Sequence, residues 1–310
     1  MAPMLDALII GGGPAGLTAA LYLARFRRRV LVADDGAPRA AWIPTSHNVP
    51  FFADGIAGTE ILARQAEAVG RYDVPIVGGT VTTLERARDG FVAVLEHAGA
   101  EPRRIEARRV VLATGAVDIE PDLPDLPDAV RRGLVRYCPI CDGFEARGRR
   151  IAVIGHGDRG LGEAAFIART YSDDVTLLTL GDTLELSPEQ RGLAQRHGIK
   201  VIKEPVSALD MTDGRIGAVR IDGHEHRFEV LYSALGLRYR SGLAKCLGAE
   251  HDASGALRVD EHNQTTVEGL YAAGDVVRGL DQIVVAMGHS AIAATHIHNH
   301  CGPPTEDESA

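Results

Sequence analysis

Two short apolar runs each stop at a glycine-rich turn and resume with helical spacing. The first is Ala7-Leu8-Ile9-Ile10, then Gly11-Gly12-Gly13-Pro14-Ala15-Gly16, then the helical stretch Leu17 to Arg25. The second is Ile151-Ala152-Val153-Ile154, then Gly155-His156-Gly157-Asp158-Arg159-Gly160, then Leu161 to Arg169. Each stretch leads into another apolar run, Arg29 to Ala33 and Asp174 to Thr179. Strand, turn, helix and strand, with near-continuous apolar strands, predict a parallel βαβ unit. Its recurrence is an internal duplication.

Between the copies, Thr80 to Arg109 alternates polar and apolar residues around Asp89-Gly90 and Ala98-Gly99, which predicts a short antiparallel meander. It ends in Val110-Val-Leu-Ala-Thr114-Gly115, a buried strand running into a glycine. Asp118 to Pro127 carries three prolines and predicts a linker. In the second half, Ile216 to Val230 repeats the meander around Asp213-Gly214 and Asp222-Gly223, and Leu231 to Gly236 closes it. A second linker is expected over Leu237 to Gly248, then Val267 to Asp275, then an apolar helix from Gln282 to His298. The acidic tail from Gly302 is expected to be disordered. The fold expected is α/β, with two Rossmann-like, three-layer ββα nucleotide-binding domains, the second inserted into the first. Residues 1–117 and 248–310 would form one domain and 118–247 the other.

Composition narrows the function. The 310 residues are 45% hydrophobic and 24% charged, ordinary for a globular protein. A net charge of −9 argues against nucleic acid as a partner. No apolar run approaches membrane-spanning length, and Met1 to Asp6 lacks the positive segment of a signal peptide, so a cytoplasmic chain is expected. The four cysteines are too few for a secreted disulfide scaffold. A Cys-x-x-Cys in a reducing compartment reads as redox or metal. A structural zinc site wants four ligands, usually two close pairs. Cys246 and Cys301 form no second pair with Cys138 and Cys141, so no metal is expected. His296, His298 and His300 look like a metal tract, but only His296 and His300 share a helical face, and a solvated helix end is the favoured reading.

Gly11-x-Gly13-x-x-Gly16 follows a strand and opens a helix, the context a dinucleotide turn requires. The glycines permit the tight turn, the approach to a pyrophosphate and close helix–strand packing. The helix start offers N–H groups and a positive dipole end to phosphate. Asp34, about 20 residues on, stands where an acid would accept hydrogen bonds from an adenosine ribose. Gly274-Asp275 follows another buried strand and is a candidate for a ribityl hydroxyl, with the next helix aiming its start, near Gln282 and Ile283, at a flavin ring. A helix-capping aspartate is the alternative.

Tyr137-Cys138-Pro139-Ile140-Cys141-Asp142-Gly143-Phe144 lies just before the second glycine turn. A dithiol between two dinucleotide-type turns implies electrons moving between a bound cofactor and a pair of sulfurs. Together, Gly11 to Gly16, Ala113-Thr114-Gly115, Cys138 to Gly143, Gly155 to Gly160 and Gly269 to Asp275 resemble the low-molecular-weight thioredoxin reductase family of flavoproteins, in order and interval, over nearly the whole chain. The resemblance implies FAD held by the N- and C-terminal thirds, a dithiol in the inserted domain, domain rotation between half-reactions and a homodimer. It implies that Cys141 faces the flavin, that Cys138 exchanges with a substrate disulfide, and that Asp142 gives or takes the thiol proton. Thr114 and Gly115 become FAD candidates, as does Asn48, with His47 beside it. Reactivity would rest on the thiolate, favoured at a helix start, and on exchange through a mixed disulfide.

The second turn departs from that family, which carries His-Arg-Arg after the second strand to hold a 2′-phosphate. Here Thr179-Leu180-Gly181-Asp182-Thr183-Leu184-Glu185 has no basic residue, and the acids would repel phosphate. His156 and Arg159 are larger than the small residues usual in the turn. The residues argue against NADPH, leave NADH open, and favour an enzyme independent of nucleotide. The partner would be a thioredoxin-like protein or a small-molecule dithiol or disulfide, with ferredoxin as a candidate donor. The stretch Cys138 to Arg147 also looks like the oxygen-linked dithiol oxidases of gliotoxin- and holomycin-type products, although Asp142 argues back toward reductases. A flavin redox sensor without turnover is the non-enzymatic alternative. His289 is expected to be a packed helix residue rather than a site residue.

Overall fold

A computed structural model of the chain describes residues 4–123, 126–181, 186–212, 215–221 and 223–303. The chain divides into two compact units, one of Met1–Ala41, Ala57–Val117 and Arg238–Ala310, the other of Trp42–Ile56 and Asp118–Leu237.

The first unit is built on a seven-stranded sheet. Leu5–Ile10 pairs in parallel with Val30–Asp34 and with Arg103–Leu112, and Leu270–Ala272 joins the far side of Arg103–Leu112. Alternation along Leu5–Ile10 splits the core. Ala7 and Ile9 face the helices Pro14–Arg25 and Ile283–Asn299, while Leu8 and Ile10 face a layer holding Leu84, Phe91 and Ile105. That is a ββα sandwich, as the pattern predicts. The expected meander and the buried strand after it are one element. Arg103–Leu112 pairs antiparallel with Gly90–Glu96 through its first half and parallel with Leu5–Ile10 through its second.

The second unit repeats the plan. Five parallel strands run in the order Lys200–Ile202, Val175–Leu178, Ile151–Ile154, Val230–Ser233, Val135–Arg136. Ile151, Val153 and Val175 pack on the helix Gly157–Thr170; Ala152, Ile154 and Leu231 pack on the opposite side with Val219 and Ile221. The antiparallel layer begins earlier than its sequence signal, with Val206–Thr212 pairing to Arg215–Ile221, which pairs in turn with His224–His226. Its turn residues Asp213, Gly214 and Asp222 lie outside the described residues, as do Pro124, the acids Asp182 and Glu185, and the acidic tail from residue 304.

Two segments differ from expectation. Within the expected linker Leu237 to Gly248, Gly242–Cys246 is a helix. Ala244 is fully buried, and Leu243 and Leu247 pack on the first unit's core, because apolar residues at this spacing share a helical face. The first unit therefore resumes at Arg238. The segment Trp42–Ile56 packs with the second unit, closed by mutual backbone hydrogen bonds between Ser46 and Ile56.

The turn after the Pro14–Arg25 helix and the end of the Ile283–Asn299 helix meet in the first unit. Buried Arg28 donates to the carbonyls of His298 and Gly302 and to His298 Nδ1. Those carbonyls sit at the end of the Ile283–Asn299 helix, where a cation opposes the helix dipole. His296 is not simply solvated: its Nδ1 lies 2.8 Å from the Tyr271 hydroxyl and its ring stacks on His262 at 4.2 Å. No helix among the described residues is long and apolar enough to cross a membrane.

The glycine turns have no slack. A Cβ on Gly16 would lie 1.8 Å from the Gly11 carbonyl oxygen, and one on Gly160 2.6 Å from Gly155 C. Gly162, on the same helix as Gly160, faces open space. Gly16→Ala should destabilise the protein by about 1–3 kcal/mol or more, whereas Gly162→Ala should stabilise it by about 0.5–1 kcal/mol. Urea unfolding of the two variants separates them; equal effects would contradict the turn geometry.

Candidate active site

The first glycine turn suits a bound dinucleotide. Gly11 adopts φ +110°, and a side chain there would strike the Ala113 carbonyl at 2.3 Å. The helix Pro14–Arg25 starts with Gly13 as N-cap, has no side-chain cap and carries no acid in its first turn, so its leading N–H groups suit an anionic ligand. Ala15 packs under Gly274, whose φ is +78°. Asp34 accepts a hydrogen bond from the Gly12 N–H at 2.8 Å through one carboxylate oxygen, which fixes the acid beside the turn. Thr114 Oγ1 donates to the Arg240 carbonyl at 2.7 Å, the Arg240 N–H donates back to Gly115, and Gly115 faces open space at φ +68°. Asp275 pairs with Arg39 at 3.2 Å and does not cap the following helix. That cap position belongs to Gln282, which is nearly buried, with Ile283 opening the helix. Glycines that a Cβ would fill, an uncapped helix start and a fixed acid together fit the FAD that the resemblance implies. His289 Nδ1 is buried without a hydrogen-bond partner; burial lowers its pKa and Asp275 opposes the shift.

Asn48 belongs to the second unit, where its side-chain oxygen accepts from Ser46 Oγ at 2.9 Å. Neighbouring His47 lies 3.6 Å from Glu145, just after the dithiol.

Cys138 and Cys141 form a disulfide with Cα atoms 5.3 Å apart. Cys138 caps the short helix Pro139–Asp142, its sulfur accepting the Cys141 N–H at 3.2 Å, and Pro139 at the first helical position fixes the entry. Gly143 ends the turn because a side chain would overlap the Tyr171 ring at 2.3 Å. Ile140 and Phe144 are exposed, and the Arg147 guanidinium lies 3.6 Å from the centre of the Phe144 ring. Asp142 points inward. The Tyr232 hydroxyl donates to its carboxylate at 2.8 Å, and Arg136 approaches the other oxygen at 3.7 Å. Burial pushes the Asp142 carboxyl above the usual range, Arg136 and Tyr232 pull it back, and nearby Glu145 pushes it up. A carboxyl held between these influences next to a disulfide has the attributes of a proton donor and acceptor.

At the second turn, His156 is the N-cap of the Gly157–Thr170 helix. Arg159 lies over the end of the strand Val230–Ser233, its Nε 3.4 Å from where a Gly236 Cβ would sit. Leu180 and Gly181, just past the Val175–Leu178 strand, both take positive φ. Buried Glu163 Oε1 has no hydrogen-bond partner. Burial pushes this carboxyl up to about 7, against the attraction of Arg159. Among the described residues no group of three or more His, Cys, Asp or Glu comes together to hold a metal.

The motifs do not single out Arg136, Tyr232 or Glu163. One signal was present: Tyr232 sits inside the apolar run Val230 to Ser233, and a buried tyrosine hydroxyl demands a partner.

Residues 5–290 match the family described as Pyridine nucleotide-disulphide oxidoreductase. A thioredoxin reductase of Treponema pallidum is 30% identical, with 93% of this chain and 94% of the relative covered. Among solved structures, thioredoxin reductase from Streptococcus pyogenes MGAS5005 superposes with a TM-score of 0.87 at 30% identity, covering 96% of this chain and 97% of that one. HlmI superposes with a TM-score of 0.86 at 30% identity, covering 96% and 93%.

Glu163 gives the protein a specific response to pH. Its carboxyl titrates at 4.5 when free and about 7 when folded, so the folded state retains a proton that the unfolded chain has lost in between. The stability that proton provides is complete below pH 4.5 and lost as pH rises through 7. Glu163→Gln should therefore gain on the parent protein by up to about 1.4 kcal/mol per pH unit across that window and hold level above it. Urea midpoints across the range test this, and parallel curves would contradict it.

Proposed function

The chain belongs to the pyridine nucleotide-disulphide oxidoreductase family, in its low-molecular-weight thioredoxin reductase-like branch of flavin-dependent disulfide oxidoreductases, and from that premise we propose that it exchanges two electrons between FAD and the Cys138–Cys141 pair, without NADPH. The observation that carries this reading is the closed disulfide with Asp142 held beside it, in a chain that also has a glycine cradle suited to FAD.

Gly11, Gly13, Pro14, Ala15 and Gly16 would hold the FAD pyrophosphate, and Asp34 the adenosine ribose. Thr114, Gly115, Gly274, Asp275, Gln282 and Ile283 would line the rest of the cofactor, and Asn48 is a further candidate. Bound FAD supplies the electron pair or receives it. Opening the disulfide takes two electrons and two protons and gives two thiols. Cys141 would be the sulfur that exchanges electrons with the flavin, as the resemblance implies. Cys138, as thiolate, attacks the substrate disulfide, forms a mixed disulfide and releases one substrate thiolate. Cys141 then displaces the second substrate thiolate and restores the Cys138–Cys141 bond. Asp142 moves the proton to or from the cysteine that does not face the flavin. The partner is a thioredoxin-like protein or a small dithiol or disulfide, ferredoxin is a candidate donor, and the working form is a cytoplasmic homodimer.

Three features support independence from NADPH. The stretch after Val175–Leu178 has no basic residue for a 2′-phosphate. Leu180 and Gly181 turn the chain sharply there. Arg159 lies over Gly236 at the carboxyl end of the sheet, where a dinucleotide binds in this class of fold. NADH remains compatible with these residues. The likeness to HlmI, as close in fold as that to the reductase, keeps a second reading in play: the same chemistry run outward, from a substrate dithiol through FAD to oxygen.

Anaerobic mixing of the FAD-loaded protein with dithiothreitol, NADPH, NADH and reduced ferredoxin in turn tests the proposal by flavin absorbance. Dithiothreitol should bleach the flavin. Asp142→Asn should slow that step by about a hundredfold or more, and Cys141→Ser should abolish it. Rapid bleaching by NADPH would overturn the nucleotide-independent reading. Peroxide on readmitting air, with turnover of dithiols, selects the oxidase. A protein that takes up no FAD, or whose flavin ignores every donor, ends the proposal.

A further inference from the structure

Arg136 and Tyr232 are register partners on adjacent parallel strands, Val135–Arg136 and Val230–Ser233. In a parallel pair, partners at one register position present their side chains to the same side of the sheet. Both therefore reach one place, the end of the Pro139–Asp142 helix. The Tyr232 ring is fully buried and its hydroxyl donates to Asp142 Oδ1 at 2.8 Å. Arg136 Nη1 donates to the Asp142 backbone carbonyl at 2.8 Å and lies 3.7 Å from Oδ2, while its Nε donates to the Gly133 carbonyl at 2.9 Å. The guanidinium thus ties the dithiol helix to the turn before its own strand. Side-chain exposure is 14% for Arg136 and 26% for Asp142, so the group is largely shielded from water, where hydrogen bonds to a charge weigh most.

We propose that Tyr232 and Arg136 are positioning residues for the dithiol reaction, fixing the Asp142 carboxyl at the end of the dithiol helix and favouring its ionised form against its burial. The proposal rests on the proton-transfer role given to Asp142 above. Tyr232 acts as a donor throughout, because burial and the Asp142 charge both push its own pKa up. The remaining charged neighbour is Glu145, on the turn Phe144–Ala146, which opposes ionisation of Asp142 and is itself faced by His47 at 3.6 Å. The carboxyl is thereby balanced. Burial and Glu145 favour the proton; Arg136 and Tyr232 favour its loss. A group so balanced can give a proton when the disulfide opens and take one when it closes, and Tyr232 and Arg136 set the pH at which its role changes.

Tyr232→Phe tests this, since it removes one hydroxyl and leaves the buried ring. Carboxyl carbon NMR of aspartate-labelled, FAD-loaded protein follows Asp142 directly, with Asp142→Asn assigning its signal. The Asp142 midpoint should move up by about one pH unit in Tyr232→Phe. It should move the same way in Arg136→Met and be restored in Arg136→Lys. Alkylation of the reduced dithiol, followed against pH, should show its carboxyl-dependent limb moved upward to match. An unchanged Asp142 midpoint in Tyr232→Phe overturns the proposal. So does a slower reaction at every pH with a lower melting temperature and no movement of the limb, which marks a structural role only. If the midpoint moves but Asp142→Asn leaves the alkylation profile untouched, the tuning stands and the proton role given to Asp142 falls.

Discussion

The structure depends on two places where a helix start touches the backbone of the strand before it. A Cβ at Gly16 would lie 1.8 Å from the Gly11 oxygen, and one at Gly155 would lie 2.8 Å from the Gly160 Cα. Only glycine allows that approach. It lets the helix follow the strand without a loop and leaves the first N–H groups at the sheet's edge. In the first unit those groups, with Asp34 bonded to Gly12, have the form that phosphate and ribose would need. In the second the same backbone carries Arg159 in the turn. One constraint therefore gives two units of the same plan, with different prospects as nucleotide sites.

The dithiol is held differently. Its helix is a single turn, too short to be stable by itself, and its position derives from contacts at both ends. Pro139 and the Cys138 sulfur fix the start. At the other end, Gly143 fits against Tyr171 and Asp142 is tied to two strands. The exposed part of the turn, Ile140 and Phe144, stands on a base that does not need a long helix to be rigid. The arrangement leaves both cysteines half-buried and the Asp142 carboxyl held by Tyr232 and Arg136.

Much of the fold was legible because its strands are short apolar runs that stop at glycine. The periods that mark Leu5–Ile10, Pro14–Arg25, Ile151–Ile154 and Gly157–Thr170 are local properties of the chain. The misses share a cause in long-range packing. Arg103–Leu112 reads as the end of a meander and the start of a core strand because its two halves pair with different partners. Residues 242–246 read as a linker because five residues carry too little pattern to reveal a helix. Residues 42–56 show nothing of their alliance with the second unit, since that rests on contacts such as His47 with Glu145. The dithiol and its aspartate were legible as a motif. Tyr232, 90 positions further along, was not, because its hydrogen bond exists only after two strands align.

The clasp formed by Arg28 on His298 and Gly302 has a consequence for biosynthesis. On the ribosome the first unit lacks its Leu270–Ala272 strand and the Ile283–Asn299 helix until well after the second unit has been translated. The Asp118–Leu237 stretch is contiguous, and its parallel sheet needs nothing translated later. The inserted portion is thus free to reach its native form while the surrounding one still waits for its final strand and helix. The sheet of the first unit is thus completed after that of the second, and loss of the segment from Leu270 onward would spare the second unit and leave the first without a strand and a helix.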